Sequence, residues 1–464
     1  MQGGWLRRRR SVACAFVAWL VAALAGSLGI GAAAPAFEGV ADPALRTRVT
    51  RLENGLTILS LADHTTPSVT FQVWVRVGSG DESRYTGLAH LFEHMMFRGT
   101  RRLGSEAHER LIEERGGRVN AFTSLDVTVY FEDVTAEHLP LVIELEAERL
   151  AHLDISRESL ASERQVVLEE RRLRTEDSPE GRAYEALRAL TFRAHPYRVP
   201  PIGWRSDVEA ATVEVCREFF HTYYAPNNLV IAVAGDFDEA DALARIERAF
   251  GSLEPVNPIP RNPTREPEQR GERREVIHFD VKAPILAAAW HAPASGHPDS
   301  EALDAASEIL SGGRSSRLYR RLVYEGQQAL GVQTGYDEME RAGVFEAFAS
   351  VRPDAKVARV ESLLFEEIAR LRDGLVSPAE LEKAKRGLEV RLLAGLGTSH
   401  ALAFHVASDF VLLGRVRPLA ERLEAIRAVG ADDVQRVART WLRDDGRSIV
   451  QVIPPRSPAA GSAR

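Results

Sequence analysis

The stretch HLFEHMMFRGT, His90 to Thr100, places two histidines and a glutamate within five residues of a chain that has 13 histidines among 464 residues. Around an α-helix, residues four apart lie ~40° from one another and residues three apart ~60°, so His90, Glu93 and His94 share one face. Two imidazoles at that spacing can direct ring nitrogens at one divalent ion, and zinc accepts such nitrogens tetrahedrally. Glu93 sits beside them, near enough to take a proton from a water on that ion without ligating it. Metal plus general base is the hydrolytic arrangement. The pattern also arises by chance, so its surroundings decide its weight. The other histidines, His64, His108, His138 and His152 among them, have no comparable neighbours in sequence and read as surface or satisfied core residues.

Two histidines leave a zinc ion short of a protein ligand. The helical stretch LASERQVVLEERRL, Leu160 to Leu173, offers Glu163, Glu169 and Glu170. Glu163 and Glu170 are seven residues apart and fall within ~20° on one helix face, whereas Glu169 points ~100° away from Glu170. Spacing leaves the choice open, because each of the three can instead pair with Arg164, Arg171 or Arg172 at the surface for little energy. The charged run Arg171 to Asp177 reads as a solvated helix face.

Outward from this block the chain divides in two. RLENGLTILSLAD carries Asn54-Gly55 between alternating runs, a hairpin signal. SVTFQVWVRVGSG reads as a strand feeding a helix from Thr86 to Phe97. The segment EPVNPIPRNPTREPEQRGERR, Glu254 to Arg274, has five prolines and no apolar periodicity, and reads as an exposed extended linker. It separates residues 45–253 from 275–455, pieces of nearly equal length. The second piece repeats the order of the first: strands in EVIHFDVKAPILAAAWHAPA, then a helix in EALDAASEILSGG. Each piece also closes on a strand, LVIAVAGDF at Leu229 and RSIVQVIPP at Arg447. The expectation is an α+β fold of two similar domains in tandem, each an antiparallel-rich sheet packed with helices, joined by the Pro-rich linker. Ser377-Pro378-Ala379-Glu380 supplies an N-cap, a proline at the first helical position and a capping-box glutamate, and opens a helix predicted through Leu396. Residues 456–464 read as a disordered tail.

Composition narrows the setting. Hydrophobic residues make up 45% and charged residues 27%, ordinary for a globular protein and unlike a disordered one. Four arginines, Arg7 to Arg10, precede an uncharged apolar run from Ser11 to Phe37, which reads as an export signal over residues 1–36 with small residues Ala34 and Ala36 before the cleavage point. The expected location is periplasmic, with membrane anchoring if the segment is retained. Without Arg7 to Arg10 the basic residues fall from 59 to 55 against 66 acidic ones, a net charge of −11 that argues against a nucleic-acid partner. Cys14 belongs to the signal and leaves Cys216 alone, so no internal disulfide forms and Cys216 reads as a core thiol.

His-Leu-Phe-Glu-His is an inverted H-x-x-E-H motif, and the chain resembles the pitrilysin or insulinase type of zinc peptidase, most like the two-domain group that includes bacterial peptidases and mitochondrial processing peptidase. The blocks carrying the resemblance are GLAHLFEHMMFRGT, GGRVNAFTSLDVTVYF from Gly116, ERQVVLEE from Glu163, HPYRVPPIGW from His195 and YYAPNNLVIAVAGDF from Tyr223. The resemblance implies one zinc per chain on His90, His94 and Glu170, with Glu93 as general base and Glu163 as its acidic partner on the ligand helix. It further implies that Asn120, Ala121 and Phe122 lie on an edge strand that pairs with the substrate backbone, as in β-augmentation. Substrates would be peptides or unfolded segments, enclosed between two such two-domain chains.

The second domain departs from the first where it matters. An offset of 213 places Leu303, Ala306 and Ser307 at the positions of His90, Glu93 and His94, so no zinc binds there. Active members of the family carry an arginine and a tyrosine seven residues apart in the silent half, which grip the substrate carbonyl. In SSRLYRRLVYEGQQALGV those places fall on Val323 and Leu330, with Arg320, Arg321 and Tyr324 nearby. The resemblance therefore implies a heterodimer whose second, similar chain supplies the pair, with a homodimer as the other arrangement. A non-catalytic peptide-binding or core scaffold subunit of the same fold is the alternative function.

Overall fold

The computed structural model describes residues 42–455, so the expected export segment at 1–36 and the tail at 456–464 lie outside the described residues. β1 (Arg48–Arg51), β2 (Thr57–Ala62), β3 (Ser68–Val75), β4 (Arg118–Thr123), β5 (Thr128–Thr135) and β6 (Leu229–Gly235) form one sheet in the order β1-β2-β6-β3-β5-β4. β7 (Arg273–His278), β8 (Ile285–Ala292), β9 (Ala329–Glu338), β10 (Gly343–Val351) and β11 (Arg447–Ile453) form the other in the order β7-β11-β8-β10-β9. Apart from β1 the two orders coincide, and each sheet has a single parallel pair, β2 with β6 and β7 with β11. The tandem α+β duplication read from element order is thus present in the strand topology. The Asn54-Gly55 hairpin joins β1 to β2 with Arg51 opposite Thr57, and Gly55 takes a φ of 89°.

Helices cover both faces of each sheet, which is why β6, Leu-Val-Ile-Ala-Val-Ala-Gly, reads as a continuous apolar run with every residue buried. In the first domain α1 (Leu88–Met95), α2 (Ala107–Glu113), α3 (Leu139–His152) and α4 (Arg157–Arg171) lie on the face formed by Val69, Phe71, Val73 and Val75. The following helix, α5 (Pro179–Thr191), leaves that domain: Ala183 and Leu187 pack on Ile285, Ala287 and Val450 of the second sheet. α6 (Val213–Tyr223) returns to the first core. The second domain packs α7 (Ser300–Ser311), α8 (Val357–Asp373) and α9 (Pro378–Ala394) together and sends α10 (Ser399–Leu413) back across the first sheet, where Ala403, Val406 and Ala407 meet Leu59, Trp74 and Ala232. Each domain therefore lends one helix to cover the other's sheet.

The Ser377 capping box is formed as read, and the helix it opens ends at Ala394. Cys216 is fully buried, in agreement with a core thiol. The Pro-rich segment holds no helix or strand before β7 begins at Arg273, one residue inside its expected end. It is tied down along its length. Arg261 donates to Asn228 Oδ1 at 2.6 Å and pairs with Asp81, while Glu266 accepts the backbone N–H groups of Arg193, Ala194 and His195 at 2.8–3.0 Å. The run Arg171 to Asp177 is a solvated face only in part: Arg172, Leu173, Arg174 and Asp177 are exposed, but Arg171 is not. Arg171 is 4% exposed, donates to Gly203 O at 2.5 Å and Glu185 at 2.7 Å, and Arg172–Glu176 winds into a wider π-helical turn.

α1 is short, so its position comes from packing rather than from its own propensity. Phe92 enters the core and stacks on Phe219 and Phe220 of α6 at ring distances of 5.4 and 5.8 Å, with Tyr224 at 5.6 Å. Replacing Phe92 by Ala should cost about 3–5 kcal/mol. Urea unfolding of the variant against the parent measures that loss.

Candidate metal centre

α1 presents His90, Glu93 and His94 toward α4, as the spacing requires. The Nε2 atoms of both histidines converge on one oxygen, Glu170 Oε2, at 3.8 Å for His90 and 3.3 Å for His94. Glu169, the neighbouring candidate, faces outward and pairs with Arg172 at 2.6 Å. Glu170 Oε1 is engaged by Arg174 at 2.5 Å, so one carboxylate oxygen is left to the histidines. Ligands held ~2.0–2.1 Å from a tetrahedral zinc lie about 3.3 Å apart, close to the separations found here. Two imidazole nitrogens and a carboxylate oxygen are also the donor set of a hydrolytic zinc site that keeps a position open. The residues fit the ion.

Glu163 lies one face down α4 and reaches the other side of the His94 ring, with Oε2 3.3 Å from Nδ1. Its second oxygen pairs with Arg98, which stands four residues after His94 in the opening motif. A carboxylate on the far nitrogen fixes ring orientation and leaves Nε2 free to ligate. Glu163 thus touches the histidine rather than the convergence point. Burial opposes charge on His94, but its hydrogen bonds to Glu163 and Glu170 outweigh that and raise its pKa to about 9. Burial keeps His90 below its ordinary value and neutral. Glu170 is buried too, which alone would raise it, yet the two histidines and Arg174 hold it down at about 2.

Glu93 Oε2 lies 4.0 Å from His90 Nε2 and accepts a hydrogen bond of 2.8 Å from Thr123 Oγ1. Thr123 ends β4, the outermost strand of the first sheet and the strand that carries Asn120, Ala121 and Phe122. Ala121 N–H is taken by the Asn120 side chain at 2.9 Å, and Phe122 sits edge-on to Trp74. An outermost strand offers a row of backbone groups to an extended chain. The strand that carries Asn120, Ala121 and Phe122 therefore also contacts Glu93. Thr123, Arg98 and Arg174 escaped the sequence reading. Arg98 and Thr123 stand inside the blocks quoted above, and only the fold shows that they reach the carboxylates.

A second cluster, His108 with Glu132 and Glu146, is fully buried on α2, β5 and α3. Its cation is already supplied by the chain. Arg149 donates Nε–H to Glu146 at 2.9 Å and reaches Glu132 at 3.5 Å, with the rings of Phe97 and Tyr130 against its guanidinium. His108 Nε2 meets Glu132 at 2.9 Å while its buried Nδ1 has no hydrogen-bond partner, so it is a core histidine satisfied on one side only. In the second domain Leu303 and Ala306 are fully buried and Ser307 donates to Thr334 O at 3.0 Å, which leaves no metal-ligating side chain at those places. Val323 packs on the second core, Leu330 is 56% exposed, and Arg320 and Arg321 pair with Glu325 and Glu366.

The family described as Insulinase (Peptidase family M16) matches residues 57–203, and the Peptidase M16 inactive domain matches residues 210–388. "Zinc protease PqqE" of Helicobacter pylori is 30% identical over 408 residues, 87% of this chain and 92% of that protein. The chain belongs to peptidase family M16. Another M16 relative, "Probable mitochondrial-processing peptidase subunit beta, mitochondrial" of Arabidopsis thaliana, is 27% identical, with 88% of this chain and 78% of that protein covered. The crystal structure of a protease from Helicobacter pylori superimposes with a TM-score of 0.85 at 30% identity, covering 88% of this chain and 99% of that one. Relatives named zinc proteases fit the zinc-compatible donor set of this M16 chain.

Glu163→Gln keeps an acceptor for His94 Nδ1 but removes the charge shared with Arg98. Zinc affinity should fall about 10-fold or more, within the ~10–100-fold range for partners that orient metal ligands. Competition against a fluorescent chelator measures it. Because His94 holds a proton up to about 9, zinc must displace it, and affinity should rise with pH up to that value and level off above it.

Proposed function

We propose that the chain is a zinc metalloendopeptidase that hydrolyses peptides or unfolded polypeptide segments. The observation that carries this is the convergence of His90, His94 and Glu170 on one point with Glu93 alongside. When bound there, one zinc ion per chain supplies a Lewis acid that polarises the scissile carbonyl and lowers the pKa of an attacking water. The chain's own residues do the rest. Glu93 takes the proton of the attacking water as general base, and Thr123 fixes its carboxylate by donating to Oε2, the oxygen that faces His90. Glu163 fixes the ring of His94. Asn120, Ala121 and Phe122 align the substrate backbone along β4, which favours extended chains over folded proteins.

Val323 and Leu330 offer no hydrogen-bond donor on their side chains for a substrate carbonyl, and nearby Arg320 and Arg321 are engaged in ion pairs. This supports a heterodimer in which a homologous partner contributes an arginine and a tyrosine and closes the substrate chamber. The Arabidopsis relative is itself named as a subunit. The arginine-led apolar segment before Phe37 supports export to the periplasm. The same missing donors favour the second reading, a non-catalytic peptide-binding or core scaffold subunit of this fold.

Cleavage of a quenched fluorescent peptide mixture by the zinc-loaded chain from Phe37 onward, alone and with a homologous partner, separates the readings. Glu93→Gln should lower turnover by about 10²–10⁴-fold or more while zinc content stays at one per chain. Turnover retained by that variant refutes Glu93 as base. A parent chain that binds no stoichiometric zinc supports the scaffold.

A further inference from the structure

We propose that Glu82 is a positioning residue of the metal centre, holding the first turn of α1 and through it the backbone of His90. The proposal rests on the peptidase reading only in taking His90 and His94 as metal ligands.

The two histidines are held in different ways. His94 has Glu163 on its far nitrogen, whereas Nδ1 of His90 is buried without a hydrogen-bond partner. No side chain fixes the far side of the His90 ring. Its placement must then come from the backbone that carries it, the third residue of α1.

That backbone starts unfavourably. α1 begins after Gly87, which has a φ of 87° and no side chain to cap the turn. The first N–H groups of a helix lack partners within it, and buried donors left unpaired are costly. Glu82 supplies the acceptors from the preceding loop. Its Oε2 accepts the N–H of Gly87 at 2.8 Å and its Oε1 accepts the N–H of Ala89 at 2.7 Å. His90 is the next residue. Glu82 is 7% exposed, and burial pushes its carboxyl up to about 8, while the N–H groups of Ala89 and Gly87 at the helix N-terminus pull the other way and favour the charged form.

The loop is fixed at both ends, so Glu82 sets the helix rather than following it. On one side Asp81 pairs with Arg261 at 3.2 Å and with Arg341 of the second domain at 3.4 Å, and Gly80 N–H donates to Leu125 O at 2.8 Å. On the other, Thr86 donates its N–H and its hydroxyl to Asp207 at 3.0 and 2.8 Å. Arg341 sits at the turn between β9 and β10, which gives the metal-free domain a direct hold on the loop that positions the zinc helix.

The test uses the full mature chain with Glu82→Gln and Glu82→Ala. Glutamine is isosteric but turns an NH₂ group on one of the two N–H donors, so it disturbs the cap with little loss of packing. Both variants should weaken zinc binding by about 10–100-fold in chelator competition and alter the visible spectrum of the cobalt-substituted protein. In the zinc-free protein they should speed hydrogen exchange across residues 87–91. Ser377→Ala serves as the control: it removes a helix cap in the other domain at a cost of about 1 kcal/mol and should leave all three readouts unchanged. Glu82→Gln that folds, binds zinc as tightly as the parent and keeps the parent cobalt spectrum overturns the inference while the metal centre stands. A parent that binds no zinc overturns both.

Discussion

The site depends on one contact between two helices: the histidine face of α1 against the glutamate face of α4. Neither helix could hold it alone. α1 has eight residues, too few for an isolated helix, and is kept by Phe92 among Phe219, Phe220 and Tyr224. α4 is longer and capped by Ser156, and Arg171 anchors its end to Gly203 O and Glu185. Between them the charges alternate: Arg98, Glu163, His94, Glu170 and Arg174 form a chain of opposite neighbours. Burying so many ionisable groups is tolerable only because each has a counter-charge in contact.

Duplication explains why the same architecture yields one site. Apart from β1, the second sheet repeats the first strand for strand, yet the helix equivalent to α1 has Leu303, Ala306 and Ser307 where the first has two imidazoles and a carboxylate. The space goes to packing. The second domain is tied to the first through the exchanged helices α5 and α10 and through Arg341, which reaches Asp81 in the loop before α1. The two domains thus share cores as well as a linker, and the Pro-rich segment is itself strapped to the first domain by Arg261 and Glu266.

The local features were legible because they depend on neighbours in sequence. The i, i+3, i+4 spacing of His90, Glu93 and His94, the Asn54-Gly55 turn, the Ser377 capping box and the repeated strand–helix order all follow from backbone periodicity and turn chemistry. The amino-acid sequence by itself determined that two histidines and a glutamate share a helix face and that an acidic helix some 70 residues on offers a third ligand, three candidates strong. Spacing could not choose among Glu163, Glu169 and Glu170, because rotation about a helix axis has meaning only against a neighbour; only the family resemblance pointed to Glu170. Tertiary structure decided that: Glu170 turns to both histidines, Glu163 to the far side of one, and Glu169 to solvent. It also brought in Thr123, Arg98 and Glu82, and buried Arg171 where charge content predicted exposure. Those contacts join residues that sequence leaves apart, and only the packing of sheet, loop and helix brings them within hydrogen-bond reach.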